Sequence, residues 1–239
     1  MSSLSVVPIP ILPMGMINAF LVMSSEGNIL VDTGLPNSEF KIAKVLSENG
    51  LQLSDIDLIV ITHAHGDHAG SAFRLRELCN APILAHEAGM PFFQGEKEMT
   101  YCPTGFFGRM FLKTGRPLRP YDRFTPDIVL KEEESFDLSE FGVSGLVTFS
   151  PGHTMGSLSV TLSTNEVLAG DLVSSGILLG GIAFRNRAKA PPFEEDGSLA
   201  ANELLKLLDK GMSIFYLGHG GPLSSQSVAR YCRKVLGIK

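Results

Sequence analysis

The sequence predicts an α+β protein, a layered sandwich with helices outside packed sheets, on three observations. Short apolar runs of strand length alternate with stretches of helical periodicity in both halves of the chain. The halves also echo each other: "ILVDTG", a helix and a strand ending in "ITHAHGDHAG" are matched later by "VLAGDLV", a helix and "FYLGHG". Finally, 239 residues with 44% hydrophobic and 19% charged content can bury a substantial core. No short repeat, low-complexity tract or clear linker interrupts the chain, so one domain spanning 1–239 is expected.

The elements follow in order. "INAFLVM" and "NILVDTG", joined by "SSEG", read as a hairpin. Asn37 or Ser38 then caps a helix through Glu48 that stops at Gly50. The apolar run Asp57 to Ile61 is the next strand, a helix is predicted from near Asp67 to Cys79, and "PILAH" is a short strand ending at His86. Further strands are expected at Ile128 to Leu130, Leu146 to Ser150, Leu158 to Ser163 and Glu166 to Ala169. A helix from Ser198 to Leu208, a strand "SIFYLG" and a helix from Ser224 to Leu236 complete the series. Residues 90–127, rich in Phe, Pro, Gly and Arg, fit no regular element; a loop of that length is a functional lid or disordered.

Composition narrows the function classes. A net charge of -5 without a Lys/Arg run gives no footprint for nucleic acid. The first twenty residues lack a basic segment and carry three prolines, so they read as neither a secretory signal nor a spanning helix, and a cytoplasmic protein is expected. Cys79, Cys102 and Cys232 have no metal-ligand or C-x-x-C spacing, which fits reduced thiols that only pack.

The histidines carry the chemistry. Three of the six fall within "HAHGDH", directly after an apolar strand. His63, His65, Asp67, His68, His153 in "SPGHTMGS", Asp171 in "AGDLV" and His219 in "LGHGG" each follow a strand-like run, so all seven can emerge along one edge of a sandwich. Imidazole and carboxylate suit Zn2+, Mn2+ or Fe, and a pair of such ions needs about seven or eight ligands around open positions. His86 is left over and is expected to hydrogen-bond in the core or behind the site. Thr154 and Ser157 read as turn residues. The "DTG" triplet at 32–34 also occurs in aspartic proteases, but their chemistry needs two such carboxylates and no second DTG or DSG is present.

The pattern H-x-H-x-D-H at 63–68 with His153, Asp171 and His219 downstream resembles the metallo-β-lactamase superfamily, over almost the whole chain from "ILVDTG" to "GHGGPLS". The resemblance implies a four-layer αββα sandwich and a metal-dependent hydrolase. It implies one ion on His63, His65 and His153, a second on Asp67, His68 and His219, Asp171 bridging them, and Asp32 just behind the ligands. The two ions are taken to be Zn2+, with Mn2+ or Fe as alternatives, and Asp67 is the catalytic residue that orients the attacking hydroxide. The β-lactamase branches proper replace the bridging aspartate by cysteine or serine, whereas Asp171 makes this chain more similar to glyoxalase II and related thioester, ester or lactone hydrolases. The lactonase branch carries a tyrosine three residues after that aspartate, where Ser174 stands here. The alternatives on the same site are a β-lactam or phosphodiester hydrolase, or an iron-dependent oxidoreductase.

The expected partner is a small, partly apolar substrate. As a lid at 90–127, Phe92, Phe93, Phe106, Phe107, Met110 and Phe111 would form an apolar pocket, and Arg109, Lys113, Arg116 or Arg119 would meet an anionic group. Phe106, Phe107, Arg109, Phe111 and Ile177, the last from the "SSGILLGGIAF" segment, are the substrate-contact candidates. The competing roles for the insertion are core packing, a homodimer contact or a membrane contact.

Overall fold

The computed structural model describes residues 4–238. Two six-stranded sheets face each other. The first contains β1 (Ser5–Leu12), β2 (Ile17–Met23), β3 (Asn28–Val31), β4 (Leu58–Val60), β5 (Ile83–His86) and β6 (Ile128–Leu130), in that spatial order. The strands β7 (Ser135–Asp137), β8 (Gly145–Phe149), β9 (Leu158–Leu162) and β10 (Glu166–Leu168) lie in the second sheet. A two-stranded ribbon of β11 (Ser174–Ser175) and β12 (Ala188–Lys189) stands apart, and β13 (Ile214–Tyr216) and β14 (Leu223–Ser224) complete the second sheet, ordered β14-β13-β10-β9-β8-β7.

The alternation of side chains along each strand builds three apolar layers. Ile29, Val31, Leu58 and Val60 point inward and meet Val147, Leu158, Val160 and Leu168 between the sheets. Their neighbours Leu30 and Ile59 point outward onto α1 (Glu39–Glu48) and α2 (Ala72–Cys79), through Ile42, Leu46 and Leu75. On the opposite face Val167 and Phe215 pack against α5 (Gly197–Asp209) and α6 (Ser225–Leu236), through Leu204, Leu207 and Val228. Each such side chain, fully buried, contributes about 1.5–3 kcal/mol. The result is the αββα order.

Several expectations need correction. β1 was not foreseen, because Pro8 and Pro10 argue against a strand; it is an edge strand, where a proline costs no ladder bond if its nitrogen faces the open side. The three-residue β7 was likewise unforeseen. The second helix starts at Ala72, not near Asp67, because residues 65–71 form a turn in which the amides of His68 and Ala69 both donate to the His65 carbonyl. Within 90–127 the chain is not structureless: it forms the single turn α3 (Met90–Phe93) and the nine-residue α4 (Gly105–Lys113).

Topology brings the chemistry to one edge. β3 and β4 are parallel, so Asp32 and the histidine-rich loop leave the first sheet side by side. β10 and β13 are parallel, and β8 runs the same way because both it and β10 are antiparallel to β9. His153, Asp171 and His219 therefore follow three strand ends on the same side of the second sheet. Among the described residues no helix is long and apolar enough to cross a membrane.

Candidate metal centre

The seven candidate donors converge. His63 Nε2, His65 Nδ1 and His153 Nε2 form a triangle with every edge 3.1 Å. Ligand nitrogens 2.0–2.1 Å from one tetrahedral ion would stand roughly 3.3 Å apart, so the triangle fits a single cation. Beside it, His219 Nε2 lies 3.3 Å from Asp67 Oδ2 and 3.0 Å from Asp171 Oδ2. Asp171 also faces His68 Nε2 at 3.4 Å and His153 Nε2 at 3.7 Å, which places it between the two groups. His68 Nε2 and Asp171 Oδ1 are buried with no hydrogen-bond partner. Such atoms are costly unless something satisfies them, and a cation between them would.

The far nitrogens of His63, His68 and His219 are held in ways that fix the near ones. Thr62 Oγ1 donates its single proton to Asp32, 2.9 and 3.0 Å from its two oxygens, so toward His63 Nδ1 at 3.0 Å it must accept. His63 is thus protonated on Nδ1, leaving the Nε2 lone pair for a ligand. His68 Nδ1 donates to Asp32 Oδ2 at 2.7 Å, and His219 Nδ1 donates to the Met16 carbonyl at 2.6 Å, freeing both Nε2 atoms toward the site. Asp32 itself sits at φ +61°, a backbone region that few side chains other than Asn and Asp tolerate. Gly218, just before His219, is obligatory by contact: a Cβ there would collide with Asp171 Oδ1 and the His68 ring.

Charge divides the cluster in two. Burial, reinforced by neighbouring imidazoles, holds His63 well below its usual range; burial and His153 bring His65 down to about 3, and burial brings His153 to about 4. Burial opposes protonation of His68 and His219 as well, but the carboxylates outweigh it. Asp171 and Asp32 hold His68 well above its usual value, and Asp171 and Asp67 push His219 up to about 10. Burial raises both carboxyls, yet their histidine partners keep Asp67 and Asp171 well below the ordinary carboxylate range. The shifts thus separate three histidines held below their usual range from two histidines raised by the carboxylates they face.

His86 lies outside this cluster. Its Nε2 donates to the Glu132 carbonyl at 2.9 Å, its Nδ1 accepts from the Ala88 amide at 3.2 Å, and its ring stacks on Phe149. Thr154 and Ser157 bond each other across the turn that carries His153. Ser174 is buried and donates to the Ala190 carbonyl.

A cavity of about 850 Å³ opens onto His65, Asp67, Asp171 and His219. Of the expected substrate contacts, Phe107 and Phe111 line it, while Phe106, Arg109 and Ile177 do not. The helical period explains the split: 107 and 111 share one face of α4, leaving Phe106 74% exposed and Met110 47% exposed on another. Leu178 and Leu179 take the wall position expected for Ile177. Phe92 and Phe93 belong to the core, where Phe93 meets Phe124 with ring centroids 4.9 Å apart.

Sequence reasoning missed Tyr101 and Phe193. Tyr101 stacks on His65 at 4.6 Å, Phe193 stands 4.8 Å from Tyr101, and Phe111 stacks on Phe193 at 5.9 Å, so an aromatic wall leads away from the donors. The segment before α4 is bound to the second half of the chain by the bridge between Pro103 and Phe193 and by the Glu194 amide donating to the Cys102 carbonyl. No local sequence pattern signals pairs so far apart in the chain.

Fold and donor set together define a metal-dependent hydrolase on an αββα sandwich. The chain belongs to the metallo-beta-lactamase superfamily, whose sequence model matches residues 12–219. The uncharacterized protein YobT of Bacillus subtilis is 31% identical, over 88% of this chain and 86% of that one. A probable metallo-hydrolase of Methanocaldococcus jannaschii is 29% identical over 65% of this chain, and the match spans 66% of that relative's length. Among solved structures, a metallo-beta-lactamase family protein from Thermus thermophilus shares the fold with a TM-score of 0.67 and 23% identity, covering 98% of this chain and 78% of that one.

Proposed function

We propose that the chain is a dinuclear hydrolase that opens a thioester, ester or lactone bond in a small substrate with an apolar part. The observation that carries this reading is the pair of donor groups meeting at Asp171 on the floor of a largely apolar cavity. His63, His65 and His153 would hold one ion and Asp67, His68 and His219 the other, zinc being the first choice for this donor set and manganese or iron the alternatives. Bound there, the ions would supply a hydroxide near neutral pH and polarise the scissile carbonyl.

The chain's own residues do the rest. Asp67 is the donor open to the cavity, its side chain 25% exposed against 3% for Asp171, so its carboxylate is placed to accept a hydrogen bond from the attacking water and orient it. Among the described residues that line the cavity there is no serine, threonine, cysteine or lysine, which agrees with attack by water. Tyr101, Phe193, Phe111 and Phe107 receive the apolar part of the substrate.

Elemental analysis of the purified protein should find two metal equivalents per chain, and a chelator should abolish, and added zinc restore, turnover of thioesters, esters or lactones. A fully loaded protein that turns over none of them overturns the reading; iron with oxygen consumption would replace it by the oxidoreductase alternative.

A further inference from the structure

Resting on the hydrolase reading, we infer that the substrate carries an oxyanion at the end of its apolar part remote from the scissile bond, and that Arg116 and Arg119 select for it. Apart from Asp67 and Asp171, which belong to the donor cluster, every side chain of fixed charge lining the cavity is cationic, and there are two: Arg116 and Arg119. Both are exposed, and among the described residues neither is committed to an ion pair. A guanidinium left without a carboxylate at the wall of a largely apolar chamber is suited to a planar oxyanion, which it can grip with two parallel bonds.

The turn bearing them is a built feature rather than a loose loop. Leu118 N donates to the Gly115 carbonyl and Arg119 N to the Arg116 carbonyl, a tight turn in which side chains three apart fall on the same side. That turn is fastened to the metal loop. The Tyr101 hydroxyl, on the ring stacked over His65, donates to the Pro117 carbonyl at 2.6 Å. The Tyr121 hydroxyl donates to the Ala64 carbonyl at 2.9 Å. Gly66, between the donors His65 and Asp67, lies against the same segment, since a Cβ on it would make ordinary contact with the Arg119 carbonyl at 3.5 Å. The backbone carrying the arginines is therefore held in register with the donors, and the aromatic wall that would take the apolar spacer lines the same cavity. The volume, about 850 Å³, is within the range of small-molecule sites.

The test is binding by calorimetry to the metal-loaded protein, comparing octanoate with octanedioate, which adds only a second carboxylate. Wild-type protein should bind octanedioate roughly 10- to 100-fold more tightly, the range for charge-assisted bonds to one oxyanion. The double variant Arg116→Gln/Arg119→Gln should lose that preference while its metal content and circular dichroism stay as in wild type. Arg116→Glu/Arg119→Glu should reverse it in favour of 8-aminooctanoate. Equal affinity for octanoate and octanedioate in wild type, or a preference that survives both double variants, overturns the inference. An 8-phosphonooctanoate arm identifies which oxyanion is preferred, because phosphonate binding more tightly than carboxylate assigns a phosphate-type terminus and the converse a carboxylate. The hydrolase reading is read separately, from turnover of 4-nitrophenyl octanoate, so that either idea can fail without the other.

Discussion

The donor cluster and the cavity wall are built by opposite means. Every donor sits on a loop leaving a strand end, all but Asp67 are buried, and His63, His68 and His219 have the far nitrogen tied to Thr62, Asp32 or a carbonyl. Much of the wall comes from one amphipathic helix, a turn, the segments carrying Tyr101 and Phe193, and the loop 176–184, in which Leu178, Leu179 and Phe184 all adopt positive φ. Sheets over-determine the cluster, whereas the wall is pinned at a few points such as the Tyr101 and Tyr121 hydroxyls. Such a division lets the chemistry stay fixed while the part that meets the rest of the substrate varies.

The contrast can be broken most severely at Asp171. Asp171→Ala removes the carboxylate shared by both groups, and hydrolysis should fall by several orders of magnitude while far-UV circular dichroism is retained. Two ions per chain with full activity in that variant would refute the shared role. Next in size, Asp32→Asn should weaken metal binding by roughly 10- to 100-fold in a competition titration, since the amide cannot accept from Thr62 and His68 as the carboxylate does. On the wall, Phe111→Ala should keep both ions and lower kcat/KM for a long acyl ester by roughly tenfold, with a smaller loss on acetate esters. Equal losses on both would return Phe111 to packing.

The smallest effect concerns the support behind the wall. Burial, with Asp196 adding, pushes Glu194 from 4.5 up to about 7. A carboxyl whose pKa is raised by folding contributes stability that is complete below about 4.5 and lost as pH rises through about 7. Glu194→Gln should raise Tm by about 2–4 °C near pH 8, about 1 kcal/mol after allowance for partial exposure, and the two proteins should converge near pH 4. A constant offset at all pH values would show that the charge is not the cause.

The same contrast explains what could be read from the sequence. Seven donors at the ends of apolar runs need only the strand positions to be right, and the structure brings all seven together. Which residues of α4 face inward depends on how the helix docks, so Phe107 and Phe111 were foreseen together with Phe106 and Arg109, which point elsewhere. Tyr101 and Phe193 meet only through the tertiary fold, and β1 was hidden because two prolines outweigh its apolar alternation until its edge position is known.

The donors are also divided in time. A ribosome releases His63, His65, Asp67 and His68 well before His153, Asp171 and His219, so a nascent first half displays four donors of a seven-donor set. Neither triangle nor bridge can close until β8, β10 and β13 have docked against it. On the proposed dinuclear reading, tight metal loading would require a chain with both sheets assembled.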